Sequence, residues 1–323
     1  MSDLDYVYAV ARIRVKEKSL LNDADIRQMT GMKDEREVLN FLADRGWGDG
    51  STPPDADRML ATEEEKTWKL MHELKISPQV FEVLSYPKLY HNLKAGIKEI
   101  CTSDRHGNIF YEMDRFGGAE MVKVLEEKNF AALPAHMRAA AERAYDVMLT
   151  TNDGQMCDVI VDRACMMACL EAGRKSKNRL LKDYEESTVA VTNIKIAVRC
   201  MITGKSMAFL KEALAPCGAF DVNALALAAT KGRDALYEYL EGHGFSEASE
   251  ALKESPSAFE RWCDNRVIDT ILPQKMNSVS AGPVIAYYLA RENELKNVRI
   301  IVTAKANGFS EDSTRERVRK TYG

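Results

Sequence analysis

Strand patterns are nearly absent from this 323-residue sequence, which holds no sustained apolar/polar alternation and so excludes sheet-based architectures. Long apolar runs are missing too. The longest, Val222 to Ala229 and Pro283 to Ala290, fall far short of the ~20 residues a bilayer span needs. There is no basic excess, with 45 Lys and Arg against 49 Asp and Glu and a net charge of −4, so the broad footprint of a nucleic-acid binder is lacking. The seven cysteines (101, 157, 165, 169, 200, 217, 263) keep no regular spacing, which argues for reduced thiols in a cytoplasm over a disulfide framework. None of the five histidines (72, 91, 106, 136, 243) falls in an H-E-x-x-H frame. Met1-Ser2-Asp3-Leu4-Asp5 is acidic and polar, so no export leader is expected.

What is present is helical periodicity in a chain of ordinary globular composition, 46% hydrophobic and 29% charged. The length allows two or three domains, since single cores usually stop growing before ~250 residues. Between residues 3 and 21, Leu4, Val7, Tyr8, Ala11, Val15 and Leu21 predict one apolar stripe on a long helix, with Arg12, Arg14, Lys16, Glu17 and Lys18 on its wet side. Asp23 or Asp25 is expected to cap the next helix, which Gly31 ends. Residues 33–45 predict another, stopped by Gly46, with Trp47 folding back as an apolar anchor. Thr62-Glu63-Glu64-Glu65 has capping-box spacing and predicts a start for a helix through Leu74. Pro78 and Pro87 then punctuate the chain. Further helices are predicted over 118–129, 136–150, 154–171, 178–203, 206–214, 221–229, 232–241, 247–253, 257–271, 281–306 and 311–321.

Two short patterns recur three times in the same order. A leucine followed five residues later by an aromatic occurs at Leu42 and Trp47, Leu125 and Phe130, and Leu240 and Phe245. Each is followed by the triplet Asn, branched aliphatic, basic: Asn92-Leu93-Lys94, Asn193-Ile194-Lys195 and Asn297-Val298-Arg299. Unequal spans between fixed landmarks are what loop insertions produce. Behind the last two triplets the register continues, because Thr203-Gly204-Lys205-Ser206 and Asn307-Gly308-Phe309-Ser310 lie equally far past their asparagines. The chain therefore reads as one helical unit repeated three times, over 1–107, 108–217 and 218–323, with borders at Asp104–Asn108 and Pro216-Cys217-Gly218.

Candidate chemistry is thin. Gly204-Lys205-Ser206 resembles the tail of a P-loop, but Arg199 stands where the first glycine belongs and the flanks are helical. Cys165 and Cys169 share a helical face without the further ligands that a structural zinc site requires. Asp158 and Asp162 could do acid-base work, yet matching carboxylates at Asp264 and Asp269 favour salt links, to Arg163 and Arg266. Glu292 and Glu294 fall in a dense mixture of charge, whose default reading is a solvated or inter-helix face. Asn297 and its equivalents are expected to bond a neighbouring backbone carbonyl. No catalytic, cofactor or metal residues are assigned. Asn92, Lys94, Asn193, Lys195, Asn297 and Arg299 are the candidates for inter-helix or partner-facing positions.

Both ends of the chain carry a resemblance. Residues 290–301, Ala-Arg-Glu-Asn-Glu-Leu-Lys-Asn-Val-Arg-Ile-Ile, followed by Gly308-Phe309 and Glu316-Arg317-Val318, resemble the closing signature of a family of V-type and A-type rotary ATPase (ATP synthase) subunits, termed C in prokaryotes and d in eukaryotes. Tyr8-Ala9-Val10-Ala11-Arg12-Ile13-Arg14-Val15 with Ser19-Leu20-Leu21 is similar to that family's opening. The resemblance implies an all-α fold of three similar helical domains in a pseudo-threefold funnel. It also implies a non-catalytic, cofactor-free part, one copy per complex, peripheral on the cytoplasmic face of the membrane. Its partners would be the proteolipid rotor ring and the central shaft subunits D and F, with no nucleic acid. The alternatives are a generic cytoplasmic helical-repeat scaffold, whose repeats would be shorter, ~34 to 47 residues, and a helical enzyme using Asp158, Asp162 or Glu292.

Overall fold

The computed structural model describes residues 3–75, 77–102, 109–176 and 178–323, and all the regular structure among them is helical. The chain runs through α1 (Asp3–Glu17), α2 (Asp23–Gly31), α3 (Glu35–Asp44), α4 (Ala56–Glu73) and α5 (Pro78–Thr102). It continues through α6 (Gly118–Glu126), α7 (Arg138–Thr151), α8 (Gly154–Lys175), α9 (Arg179–Thr203) and α10 (Met207–Ala213). The last stretch holds α11 (Val222–Lys231), α12 (Arg233–Gly242), α13 (Ser246–Glu254), α14 (Pro256–Ile271), α15 (Gly282–Ala306) and α16 (Glu311–Arg317). The border expected at Asp104–Asn108 lies outside the described residues, as does His106.

Two compact units divide the chain at other points than the sequence repeats. One takes residues 1–77, 178–187 and 240–323, and the other takes 78–177 and 188–239. In the first, α15 packs against α1, α3, α4 and α14, while α16 lies on α2 and α14. Its core joins Ile26, Met29, Leu42 and Trp47 near the start of the chain to Val298 and Ile301 near the end. In the second, α8 packs against α5, α7 and α10, over a core that includes Tyr90, Leu93, Met121, Leu133 and Cys157.

Local chemistry sets several helix ends differently from expectation. Asn22, not Asp23 or Asp25, caps α2; Asp25 supplies the reciprocal bond of a capping box. Asp55 starts α4, so Thr62 lies inside the helix, where its hydroxyl donates to the Arg58 carbonyl. Pro87 lies within α5, where its missing N–H costs a ladder bond. Tertiary burial of Val83, Tyr86, Leu89, Tyr90 and Leu93 holds that helix through it. On α1 the buried face is Ala9, Val10 and Ile13, whereas Val7, Tyr8 and Val15 of the expected stripe stand 47%, 62% and 68% exposed. Beyond α16 the chain leaves the helix, because the Arg319 and Lys320 N–H groups bond to Asn297 and Asn265 side chains instead.

Candidate functional site

Three of the helices, α5, α9 and α15, are 25 residues long, and each carries one of the triplet asparagines. All three asparagines are essentially inaccessible, at 0%, 0% and 1% exposure. Asn193 Nδ2 donates to the Ala215 carbonyl at 2.7 Å, and Ala215 N–H returns a bond to Asn193 Oδ1 at 3.0 Å. Asn297 does the same with Arg319, at 3.1 and 2.7 Å. Asn92 does it with Tyr111, at 2.9 and 2.8 Å, and donates again to the Phe116 carbonyl. An amide is the side chain that can meet both a backbone donor and a backbone acceptor at once. Each asparagine thus clamps a passing non-helical segment to the middle of a long helix.

Between helix and clamp, the second and third copies share further detail. Gly204 and Gly308 turn the chain at φ +64° and +68°, conformations that a Cβ would strain. Lys205 N–H bonds to the Cys200 carbonyl and Phe309 N–H to that of Ala304, both at 2.9 Å. Ser206 and Ser310 then cap α10 and α16. Gly204-Lys205-Ser206 is thus a helix-turn-helix corner. The leucine-to-aromatic turns agree in the first and third copies, where Trp47 and Phe245 bond back to Leu42 and Leu240. In the second copy the turn closes one residue early, on Asn129 and Val124, with Lys128 in the left-handed region.

The basic members of the triplets have varied settings. Lys94 pairs with Asp162 at 2.7 Å, and one turn on Lys98 pairs with Asp158. Lys195 is half-buried. Arg299 is 63% exposed, and Asp57 lies 3.5 Å from it. The expected partners Arg163 and Arg266 do otherwise: Arg163 Nε donates to the Leu214 carbonyl, and Arg266 lies over the Trp262 ring. Asp264 receives Lys296 and Arg319, each at 2.7 Å, and Asp269 receives Lys320. Burial alone would raise the Asp264 carboxyl, but the two cations outweigh it and hold it below the usual carboxylate range.

One polar cluster takes the inter-helix half of that reading and not the solvated one. Arg291 and Glu294 are buried, and Arg291 joins Glu294 and Glu63, the latter at 2.7 Å. Its guanidinium also lies over the Trp47 ring at 4.9 Å, and the Leu21 N–H donates to Glu294. Burial lifts the Glu294 carboxyl above its ordinary value despite Arg291, while for Arg291 the anions outweigh the opposite effect of burial. α15 is buried on every face from Gly282 to Arg291, so the guanidinium that ends this stretch must be paired. That all-round apolar pattern before residue 291 is the signal that could have revealed the cluster.

Among the described residues no set of three or more His, Cys, Asp or Glu side chains could hold a metal ion. None of the described helices is long and apolar enough to cross a membrane. Cys165 and Cys169 are not in disulfides, and Cys169 is part of the α5–α8 core.

Comparison with known proteins gives a consistent result. Residues 9–317 match the model of the family described as ATP synthase (C/AC39) subunit. The chain is similar to the C subunit of the V-type sodium ATPase of Enterococcus hirae, 21% identical over 83% of this chain and 83% of the relative. It is also similar to the C subunit of the A-type ATP synthase of Methanocaldococcus jannaschii, 20% identical over 96% of this chain and 85% of that one. Because the family match runs from α1 to the end of α16 and takes in all three clamped helices, the chain belongs to the ATP synthase (C/AC39) subunit family.

Proposed function

We propose that this protein is a non-catalytic central-stalk subunit of a V/A-type rotary ATPase. It couples the membrane rotor ring to the shaft subunits D and F, and passes torque during ATP-linked proton or sodium transport. On this reading it is present once per complex, on the cytoplasmic face, attached through the ring and without a cofactor. Its three related units, 1–107, 108–217 and 218–323, would surround a pseudo-threefold axis and leave a socket for the shaft.

The observation that carries the reading is the recurrence of a long helix clamped at its middle by a buried asparagine. A part that transmits torque must not shear internally. Sliding a clamped segment along its helix would strand a buried donor and acceptor together, at about 1–3 kcal/mol for each group. The basic triplet residues Lys94, Lys195 and Arg299, set beside buried asparagines, are the proposed partner-facing positions. Retention of the purified chain on a detergent-solubilised rotor ring and on an immobilised D–F shaft tests the proposal. Capture by both is expected, and capture by neither overturns it.

A further inference from the structure

We propose that the loop 272–281, together with the end of α1, is a lipid-facing surface that seats on anionic phospholipid headgroups. It goes beyond the coupling role, which requires no lipid contact from this chain itself. The loop joins α14 to α15 and carries Met276 at 90% exposure and Val279 at 63%. These side chains stand on a fastened turn. Arg14 Nη2 donates to the carbonyls of Gln274 and Asn277 at 2.7 and 2.6 Å, and Asn277 Nδ2 donates to Gln274 Oε1 and Ser280 Oγ. A turn held by four such bonds presents its apolar tips as a fixed feature. Val15, next to Arg14 in α1, is exposed as well.

Beside the turn is an open cavity of about 310 Å³ lined by Arg14, Glu17, Lys18, Lys275, Tyr322 and Gly323. Glu17 answers Arg14 at 2.7 Å, and Lys18 and Lys275 together outweigh the carboxylate of Gly323, so the wall keeps a net positive charge. Lys275 Nζ lies 4.9 Å over the Tyr322 ring, at the wall of the cavity. An acidic protein surface would satisfy the two lysines but would need a preformed hollow for the projecting Met276 and Val279. A bilayer interface supplies both partners at once: phosphates for the ammonium groups, and fluid hydrocarbon that closes around the tips.

Flotation of the purified chain with vesicles tests this, using phosphatidylcholine alone and phosphatidylcholine with a minority of phosphatidylserine. Binding to the phosphatidylserine vesicles that falls with added salt is expected. The double variant M276S/V279S should lower the bound fraction about tenfold, from the apolar transfer energy of two partly inserted side chains. K18E/K275E should remove the preference for the anionic vesicles. All four side chains point to solvent or line an open cavity, so both variants should keep the wild-type helical circular dichroism. Equal binding to the two vesicle types, no binding to either, or wild-type flotation by M276S/V279S overturns the proposal. If M276S/V279S instead loses a lipid-free rotor ring, the surface is a protein contact and the lipid assignment is wrong. Retention of that variant on the ring and shaft leaves the coupling role standing whichever way flotation falls.

Discussion

Replacing Asn193 by alanine isolates what a clamp is worth. The substitution removes both bonds to Ala215, a residue that is itself fully buried, so its N–H and carbonyl lose their partners where water does not reach. An orphaned buried polar group costs about 1–3 kcal/mol, and relaxation of the short segment after α10 recovers some of it, so about 2–4 kcal/mol is expected. Asn297→Ala should cost less, about 1–2 kcal/mol, because Arg319 is only half-buried and water can replace the lost side chain. Asn92→Ala should lie between, since Tyr111 is exposed but Phe116 is buried. With two compact units, a single denaturation midpoint need not follow one clamp, so residue-level hydrogen exchange is the sharper assay. The Ala215 amide should exchange at least about tenfold faster in Asn193→Ala, which corresponds to about 1.4 kcal/mol. Asn193→Asp separates hydrogen bonding from cavity formation, because a carboxylate can accept from Ala215 N–H but turns a second oxygen on its carbonyl. It should be as damaging as alanine at neutral pH. A cost below about 0.5 kcal/mol for Asn193→Ala, or the largest loss at Asn297, would refute the reasoning.

Arg291→Met leaves Glu294 without a counter-charge in the core, while Glu63 keeps Lys66, and should cost about 3 kcal/mol in urea unfolding, of which the additional change Glu294→Gln should restore part. Alanine at Gly204 or Gly308 should cost about 1–2 kcal/mol each, because both hold positive φ, whereas Lys128→Gly should raise the melting temperature by relieving the same strain. That gain should stay below about 1 kcal/mol, since the Lys128 ammonium over the Tyr145 ring is lost. Asp264 has a folded pKa below its unfolded value, so its contribution is complete above the ordinary carboxylate range and disappears as pH falls through the folded value. Urea midpoints followed from neutral to acid pH should therefore fall less steeply for Asp264→Asn than for the wild type.

Much of the architecture was legible in the sequence because helices are local objects. Period, caps and glycine stops placed every α-helix from 118 to 306 within a few residues, whereas α5, which runs through Pro87, was not foreseen as one helix. The register shared by Gly204-Lys205-Ser206 and Gly308-Phe309-Ser310 survives as matching turns and caps, since those are made by residues adjacent in the chain. What depended on distant residues was not legible. Periodicity found an apolar stripe on α1 but could not tell that Ala9, Val10 and Ile13 face inward, because both sides of that helix carry large apolar residues. The aspartates were correctly read as salt-linked, but Lys98, Lys94, Lys296 and Lys320 reach them across helices, where sequence spacing offers no distance. Thus the sequence alone determined most of the helices and the recurrence of the two short patterns, which rest on interactions between near neighbours. Only the tertiary structure decided which carbonyl each asparagine clamps, which charges are buried together at Arg291, and where the compact units divide, because those follow from which faces meet after the chain has packed.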